Sequence, residues 1–360
     1  MMMSPISAPA GAVLRSLEES AVSFDWDNVA SYLAGHGLIL DLSEPPRRFA
    51  GGLANINMLL RIDGGYAVFR RPPDGPLPKG AHDMKREHRV LHGLAPVLPL
   101  APRSLHFCED GSVAGAPFQI LEYRGGRSVR GSDIAPLPDT AETGATLSRL
   151  LIDTLSQIHA VDTDAAGLGD LGRPEGFLAR TISGWIARGD AILKGQMCAA
   201  GREVADWMQA QPAPDADPVL LHNDFKLDNV LLKPDVIAPE VVLDWDMATH
   251  GDPLVDLATL LSYWTEPGDP QCMIALDQMP TARSGFLSRE DAANAYAASS
   301  GRSLDNFRLH RVLAIFRLAV VFHQLAALKV NNPAATPQQA ALNPDDLFIF
   351  ALDVARGKMF

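Results

Sequence analysis

Short apolar runs broken by glycine-rich turns characterise the chain from about residue 45 to residue 123. The runs "NMLLRI" and "YAVFRR" are separated by Asp-Gly-Gly, the pattern of two antiparallel strands joined by a tight turn. The next segment, "AHDMKREHRVLHGL", has apolar residues at helical spacing, and the apolar runs "RSLHFC" and "PFQILEY" follow it. We therefore predict a small antiparallel sheet with one helix in this part of the chain.

Helical periodicity prevails after a glycine-rich polar stretch, "RGGRSVRGSD", which we interpret as a linker. Helices are predicted near residues 147–158, 175–188, 199–210, 253–264, 288–299, 303–329 and 346–356. Two strand-like segments, "LLHNDFKLDNVLL" and "PEVVLDWDM", interrupt them. The predicted fold class is α+β, with an N-terminal lobe at residues 1–123, a linker at 124–133 and a helical C-terminal lobe at 134–360.

The composition is that of a globular protein and argues against one that reads nucleic acid. The chain has 360 residues, of which 47% are hydrophobic and 21% charged, with a formal net charge of −12. This length favours two lobes over one. A protein that reads nucleic acid is usually basic, so we expect no nucleic-acid partner. No feature of the sequence indicates an oligomeric state.

Cysteine usage and the apolar segments predict a cytoplasmic protein that does not span a membrane. The three cysteines, Cys108, Cys198 and Cys272, have no CxxC spacing and fit a reducing compartment. The first twenty residues lack the basic start and apolar run of a secretory signal. The apolar segment "RVLAIFRLAVVFHQLAALKV" is interrupted by Arg317 and His323, so we predict a buried core helix there.

The polar segment between two apolar runs carries the strongest chemical signal. The pattern H-x-D-x-K-x-x-N is formed by His222, Asp224, Lys226 and Asn229. Asp224 could accept a proton from an attacking hydroxyl, and Lys226 could place a positive charge near a phosphate. Asn229 offers an amide oxygen, which is a suitable ligand for Mg²⁺. The alternative is a polar hairpin turn held by its own side-chain hydrogen bonds.

A second segment with candidate site residues follows the polar one, and it contains Asp244, Asp246 and Asp256. Asp244 ends the run "VVL", and a carboxylate at the end of a buried strand needs a partner or a metal. With Asn229 it could form the oxygen-rich half of a Mg²⁺ site, unless the strand end is exposed to solvent. Strand alternation places Asp246 on the same face, where it could share the role. Asp256, inside a predicted helix, could accept backbone N–H groups of the 222–229 loop or lie exposed on the helix surface.

The N-terminal lobe contains a candidate ion pair and a candidate phosphate-binding turn. Glu87 falls on the apolar stripe of the predicted helix, where a carboxylate is costly unless it is paired. Arg70 on the strand "YAVFRR" is the expected partner and could also bind phosphate through two N–H groups. Alternatively, Glu87 is not paired and lies at a partly hydrated edge of the helix. The turn at Gly51 and Gly52 could cover phosphates with backbone N–H groups, or it could be a simple hairpin bend.

One glycine-rich stretch matches a dinucleotide-binding motif but lacks the structural context that this motif requires. "GLGDLG" matches G-x-G-x-x-G, but it follows a predicted helix and no strand–helix–strand unit surrounds it. The sequence therefore does not support a dinucleotide-binding domain there.

The order of these features resembles the aminoglycoside phosphotransferase and choline kinase-like family. In that family a loop HxDxxxxN precedes a strand ending in "iDW" and then GDPxxDLA, and "LLHNDFKLDNVLL" and "VVLDWDMATHGDPLVDLATLL" match this pattern. The finer similarity is to the subgroup related to the kinase-like domain fused to some acyl-CoA dehydrogenases. It is carried by "GGLANINMLLRIDGGYAVFRRPPDG", "KREHRVLHGL" and "GLGDLGRPEGFLAR".

The resemblance implies a bilobal protein kinase-like fold with a small antiparallel-sheet N-lobe, a mainly helical C-lobe and ATP between them. It implies that Asp224 is the catalytic residue and that Asn229 and Asp244 bind Mg²⁺. It also implies that Asp256 braces the catalytic loop. The hinge that binds adenine through its backbone would be Leu121, Glu122 and Tyr123.

Two residues depart from the family pattern. Arg70 stands where most relatives have lysine, and Asn223 replaces the glycine that usually follows the loop histidine.

We expect an ATP- and Mg²⁺-dependent phosphotransferase acting on a hydroxyl of a small molecule. An aminoglycoside, an amino alcohol, a sugar and a hydroxyacyl-CoA are the candidate acceptors, with a metabolite ranked above an antibiotic. The alternative is a catalytically degenerate nucleotide-binding module, which the Arg70 substitution favours and the retained loop carboxylate opposes.

Overall fold

The computed structural model describes most of the chain, which divides into two compact units. The described residues are 14–15, 24–49, 55–75, 83–329 and 342–360. Unit 1 comprises Met1–Ser128 and Val230–Ala248, and unit 2 comprises Val129–Asn229 and Thr249–Phe360. Residues 230–248 therefore group with the N-terminal part of the chain. The lobe boundaries expected from the sequence, at residues 123 and 134, stay a prediction.

Unit 1 is built on a six-stranded antiparallel sheet. Its strands in spatial order are β1 (Leu14–Arg15), β2 (Arg47–Phe49), β3 (Ile56–Ile62), β4 (Gly65–Arg71), β6 (Phe118–Glu122) and β5 (Ser104–Cys108). The turn between β3 and β4 has positive φ at Asp63 (50°) and Gly64 (76°). An Asp-Gly pair adopts this conformation readily, which explains why the chain reverses there.

Three helices accompany this sheet: α1 (Trp26–Ala34), α2 (Met84–Leu94) and α3 (Gly111–Ala114). Asp83 caps the N-terminus of α2, and its side chain accepts a hydrogen bond from the N–H of Arg86. Its buried face contains four apolar residues and also Glu87. One carboxylate is therefore carried into the interior of unit 1 by an otherwise apolar helix face.

A two-stranded hairpin, β8 (Val230–Leu232) with β9 (Pro239–Val242), completes unit 1. Leu232 and Arg127 exchange two backbone hydrogen bonds of 2.8 Å, and the N–H of Val242 bonds to the carbonyl of Leu100 at 2.7 Å. A 3-10 turn, Trp245–Met247, follows β9. The hairpin thus fixes the position of Val242, two residues before Asp244, within unit 1.

Unit 2 is mainly helical. Its helices are α4 (Ala141–His159), α5 (Phe177–Ile192), α6 (Ala199–Ala210), α7 (Pro253–Ser262), α8 (Gln271–Leu276), α9 (Arg289–Ser300), α10 (Phe307–Lys329) and α11 (Asp345–Ala355). A short antiparallel pair, β7 (Val219–Leu221) with β10 (Thr249–Gly251), lies among them. The predictions of an α+β fold, an N-terminal antiparallel sheet and a mainly helical remainder are confirmed.

The apolar helix α10 is a core element of unit 2. Among the described residues, Phe307–Ala327 is long and apolar enough to cross a membrane, with mean hydropathy 1.4, but 67% of it is buried inside the structure. The rings of Phe316 on α10 and Phe348 on α11 lie 5.1 Å apart, and both side chains are fully buried. This burial agrees with the core helix predicted from the sequence.

Truncating the α10 core should destabilise the protein far more than truncating its surface. Phe316→Ala removes a ring with 0% exposure and should lower the free energy of unfolding by about 3–5 kcal/mol. Ile349→Ala, at a position that is 51% exposed, is the control and should change it by about 0.5 kcal/mol or less. Urea unfolding followed by circular dichroism measures both. Equal losses in the two variants would contradict the described packing.

Candidate active site

The loop from His222 to Asn229 is held by one buried carboxylate. Asp256, in the first turn of α7, is 0% exposed. Its Oδ2 accepts the backbone N–H of His222 and its Oδ1 accepts that of Asn223, both at 2.7 Å. His159 Nε2 lies 3.3 Å from Oδ2, and Nδ1 of the same ring lies 2.6 Å from the Tyr296 hydroxyl. The predicted interaction between Asp256 and this loop is confirmed.

Asn223 adopts a backbone conformation that explains its residue type. Its φ is 66°, in the left-handed region that glycine and asparagine enter more easily than other residues. Arg317 of α10 donates Nη1–H to Asn223 Oδ1 at 2.8 Å and Nη2–H to its carbonyl at 2.6 Å. Asparagine therefore suits the left-handed conformation of this turn, and its side chain adds a contact to α10.

The Asp224 side chain is oriented by three neighbours. The Tyr263 hydroxyl donates to Oδ1 at 2.9 Å, Asn229 Nδ2 lies 3.4 Å from Oδ2, and Lys226 Nζ lies 3.7 Å from Oδ2. The carboxylate keeps 20% side-chain exposure, so it is both positioned and accessible. Such a group can accept a proton from, or orient, a hydroxyl that reaches it.

Tyr263 links the acidic and basic side chains of this loop, and no motif in the sequence indicated it. Burial, followed by the nearby charge of Asp224, raises the pKa of Tyr263 to about 12, so its hydroxyl remains a donor at neutral pH. Lys226 Nζ lies 4.9 Å from the centre of the Tyr263 ring, within cation–π range. Tyr263 therefore positions the Asp224 carboxylate and also contacts Lys226.

Asn229 has the oxygen that a cation site requires. Its Nδ2 donates to the backbone carbonyl of Asp224 at 2.9 Å, so Oδ1 is the atom left for a hard cation. The neighbouring Asp228 has a buried Oδ1 without a hydrogen-bond partner among the described residues, and burial raises the pKa of its carboxyl. The loop therefore contains oxygen donors that are not fully used by its own hydrogen bonds.

A second polar group lies within unit 1, around Arg70. This side chain is 8% exposed, and its Nε donates to Glu87 Oε2 at 2.8 Å. Its Nη1 donates to Asn57 Oδ1 at 3.3 Å, and its Nη2 donates to Asp244 Oδ1. Glu87 is 1% exposed and also accepts from Gln119 Nε2 at 2.6 Å. The Arg70–Glu87 pair predicted from the sequence is present.

Three carboxylates act on the charge of Arg70. Burial alone would lower the pKa of Arg70, but Glu87, Asp244 and Asp246 together raise it, so the guanidinium stays charged. Burial raises the pKa of the Glu87 carboxyl to about 7, Arg70 opposes that rise, and Asp244 and Asp246 add to it. Glu87, Asp244 and Asp246 therefore all act on the charge of Arg70, and Arg70 in turn limits the rise in the pKa of Glu87.

Asp244 has a strained backbone, and this changes the expected place of Asp246. Its φ and ψ are 71° and 59°, a left-handed conformation that is costly for a residue other than glycine and is concentrated at functional sites. β9 ends at Val242, and Trp245–Met247 is a 3-10 turn. The prediction that Asp246 shares a strand face with Asp244 is therefore wrong, because strand alternation stops before these residues. Asp246 is nevertheless 7% exposed and contributes to the electrostatics of Arg70.

The expected nucleotide-binding segments are only partly described. Leu121 and Glu122 end β6, where the N–H of Glu122 bonds to the carbonyl of Arg103 at 2.8 Å, and the Tyr123 ring stacks with Phe49 at 6.4 Å. Their role as an adenine-binding hinge stays a prediction. Gly51 and Gly52 lie outside the described residues.

The sequence-predicted residues fall into one group in each unit. Arg70, Glu87 and Asp244 come together in unit 1, and a loop group comes together in unit 2. That loop group consists of Asp224, Lys226 and Asn229. The expected Mg²⁺ ligands Asn229 and Asp244 belong to different units, and their shared role stays a prediction. Among the described residues, no three His, Cys, Asp or Glu side chains form a metal-binding group.

Replacing the bracing carboxylate should loosen the loop locally. Asp256→Asn keeps only one acceptor oxygen and removes the charge, so one of the two N–H groups of His222 and Asn223 loses its partner. We expect a loss of about 1–3 kcal/mol in stability and faster hydrogen exchange at these two amides. Asp206→Asn, at an exposed position on α6, is the matched control. Hydrogen exchange at the two amides that is unchanged from the unsubstituted protein would refute the bracing role.

The model of a family described as "Phosphotransferase enzyme family" matches residues 46–289. Acyl-CoA dehydrogenase family member 11 of Gallus gallus is 33% identical over 61% of this chain, and family member 10 of Mus musculus is 28% identical over 87% of it. The chain spans only 28% and 29% of the length of these two proteins.

Solved structures show the same fold. A Ralstonia eutropha protein classed with the aminoglycoside phosphotransferases has a TM-score of 0.73 and 22% identity, with 93% of this chain and 99% of that chain covered. The macrolide 2'-phosphotransferase MphH of Brachybacterium faecium has a TM-score of 0.56 and 24% identity, with 88% and 98% covered. The fold is therefore the protein kinase-like fold of the aminoglycoside phosphotransferases. Together with the family match, this establishes that the chain belongs to the phosphotransferase enzyme family.

Proposed function

We propose that the protein transfers the γ-phosphoryl group of ATP to a hydroxyl of a small molecule in a Mg²⁺-dependent reaction. The observation that carries this proposal is the Asp224 carboxylate, which is partly exposed and hydrogen-bonded by Tyr263 at 2.9 Å on a loop braced by Asp256. A protein that only binds a ligand has no need of a carboxylate positioned in this way. Nucleotide use is supported by related folds solved with ADP, AMP-PNP and GDP.

In the proposed reaction, Asp224 orients the acceptor hydroxyl and takes its proton as the oxygen attacks the γ-phosphorus in line. The bond from that phosphorus to the bridging oxygen breaks, and ADP leaves. Phosphoryl transfer has a loose transition state, so positioning and charge neutralisation provide most of the catalysis. Lys226, 3.7 Å from Asp224 Oδ2, is the cation on this loop that stabilises the charge of the transferred group.

The proposed cofactor fits the oxygen donors of the chain. Asn229 Oδ1 and a carboxylate oxygen of Asp244 would hold Mg²⁺, which neutralises phosphate charge when it is bound. Arg70 would exchange its contact with Asp244 for a phosphate oxygen while Glu87 holds Nε. The Gly51–Gly52 turn would cover the phosphates, and Leu121–Tyr123 would bind adenine through its backbone.

The acceptor is proposed at the level of a class. Relatives of this fold were solved with kanamycin and hygromycin B, which carry several hydroxyl groups. The most similar sequences reported above are acyl-CoA dehydrogenase family members, which favours a metabolite such as a hydroxyacyl thioester over an antibiotic. A screen for ADP release across aminoglycosides, amino alcohols, sugars and hydroxyacyl-CoA compounds identifies the acceptor.

One observation favours a second candidate, a nucleotide-binding module without catalysis. Arg70 donates to Asp244, so the residue proposed to contact phosphate and a proposed Mg²⁺ ligand neutralise each other in this structure. If no acceptor in the screen stimulates ADP release while AMP-PNP still binds, the degenerate module is the correct description.

Removing the proposed base should slow turnover strongly without preventing nucleotide binding. Asp224→Asn keeps the shape of the side chain but cannot take a proton, so kcat should fall by about 10²–10⁴-fold. ADP release with the identified acceptor measures kcat, and calorimetry with AMP-PNP checks binding. Asp190→Asn, at an exposed position on α5, is the control. Near-normal turnover of Asp224→Asn would rule out the assigned role.

Tyr263→Phe should separate positioning from binding. The change removes the hydroxyl that donates to Asp224 Oδ1 but keeps the ring beside Lys226. A hydrogen bond to a charged group contributes about 1.5–3 kcal/mol, so kcat should fall by about tenfold or more while KM for ATP changes little. Steady-state kinetics of ADP release provides both constants. A rise in KM for ATP with unchanged kcat would refute the positioning role.

A further inference from the structure

Two arginines of unit 2 lie beside the loop that carries Asp224. Arg317 of α10 donates to the side chain and to the carbonyl of Asn223, the residue directly before Asp224, at 2.8 and 2.6 Å. Arg188 of α5 lies close to Arg317, because both guanidinium groups contact the ring of Trp185. The centre of that ring is 4.8 Å from the guanidinium carbon of Arg188 and 5.3 Å from that of Arg317. Two positive charges are therefore grouped next to the proposed base.

Neither of these two charges is neutralised by an acid. Among the described residues, Arg188 and Arg317 form no ion pair, and their hydrogen bonds go to uncharged oxygens of Asn223, Thr259 and Gln324. Burial, and then the charge of Arg317, lower the pKa of Arg188. Like charges that lie close together disfavour each other, and an anion held by both of them would offset this repulsion.

Both arginines keep N–H groups that a ligand can reach. Arg188, Arg317 and Trp185 are all half-buried. Nε and Nη1 of Arg188 and Nε of Arg317 have no hydrogen-bond partner among the described residues, and none of these three atoms is fully buried. An accessible guanidinium binds a carboxylate or a phosphate through charge-assisted hydrogen bonds. The pair is therefore able to receive an anion from solvent.

We propose that Arg188 and Arg317 bind an anionic group, a carboxylate or a phosphate, of the molecule that receives the phosphoryl group. Contact with the Trp185 ring holds both guanidinium groups in place. The anionic group lies against them, and the acceptor hydroxyl reaches Asp224. This inference rests on the proposed function and narrows its acceptor class, because a cationic aminoglycoside or amino alcohol is repelled by both arginines.

Calorimetry on the full chain tests the charge requirement without turnover. Glucuronate, glucose 6-phosphate, glucose and glucosamine share one ring and differ in charge, and saturating AMP-PNP with Mg²⁺ keeps them out of the nucleotide site. We expect glucuronate or glucose 6-phosphate to bind at least tenfold more tightly than glucose, with glucosamine weakest. The tighter of the two anions identifies the preferred group. A smaller preference for the anions, or no binding of any probe, would overturn the proposal.

Substitutions of Arg188 then locate the binding. Arg188→Met removes the charge and should weaken binding of the preferred anion at least tenfold, whereas Arg188→Lys keeps the charge and should recover part of the affinity. Arg149→Met, at an exposed position on α4, is the charge-matched control and should bind normally. Arg317 is left unchanged because its contact with Asn223 also holds the loop. Normal binding by Arg188→Met would reveal an adventitious site elsewhere, and equal losses in both Arg188 variants would indicate a packing role; either result refutes the assignment.

Turnover distinguishes a failure of this inference from a failure of the proposed function. We expect the acceptors that stimulate ADP release to be anionic, and Arg188→Met to raise KM for the acceptor while kcat and KM for ATP change little. If a neutral or cationic acceptor is phosphorylated and Arg188→Met leaves its KM unchanged, the proposed function stands and this inference fails. If anions bind through Arg188 but no acceptor stimulates ADP release, the anion site stands and the proposed function fails.

Discussion

The candidate active site depends on the two hydrogen bonds that Asp256 accepts from the backbone of the 222–229 loop. A fully buried carboxylate is stable only when polar groups surround it, and here two N–H groups at 2.7 Å and the His159 ring provide them. The same bonds hold His222 and Asn223 in place, so Asp224 begins from a fixed backbone. Asp224 directly follows Asn223 in the chain, and the Tyr263 hydroxyl orients its side chain by donating to Oδ1.

A second constraint acts in unit 1. Glu87 is carried inward by an apolar helix face, and Arg70 compensates it through Nε while its other nitrogens contact Asn57 and Asp244. An arginine can serve three partners at once because its five N–H donors point in fixed directions. A lysine has one nitrogen and could not join these groups in the same geometry. This difference explains why arginine suits this position, where the family resemblance leads one to expect lysine.

Much of the fold and of the candidate site could be predicted from the sequence, because the residue patterns that indicate them are local. Periodicity indicated the helices and strands, and the position of Glu87 on an apolar stripe was sufficient to predict its pairing with Arg70. The contact of Asp256 with the loop followed in the same way from a carboxylate inside an apolar helix. The expectation for Asp246 failed because the left-handed conformation of Asp244 ends strand alternation, and no residue pattern announces that change.

Other residues were missed because their roles depend on distant packing. Tyr263 lies 39 positions from Asp224, at the end of a helix where a tyrosine is unremarkable in sequence terms. Arg317 was interpreted only as an interruption of an apolar run, whereas it binds Asn223 across unit 2. Such contacts require the tertiary structure.

The central proposal is that Asn229 and Asp244 would serve one Mg²⁺ that accompanies the nucleotide. Calorimetry with AMP-PNP, with Mg²⁺ and with EDTA, tests it on the unsubstituted protein, Asn229→Ala, Asp244→Ala and the double variant. The account predicts Mg²⁺-dependent binding that each single change largely removes and that the double change reduces no further, since both residues act on one ion. Binding that is equally tight in EDTA, or losses that simply add in the double variant, would contradict it.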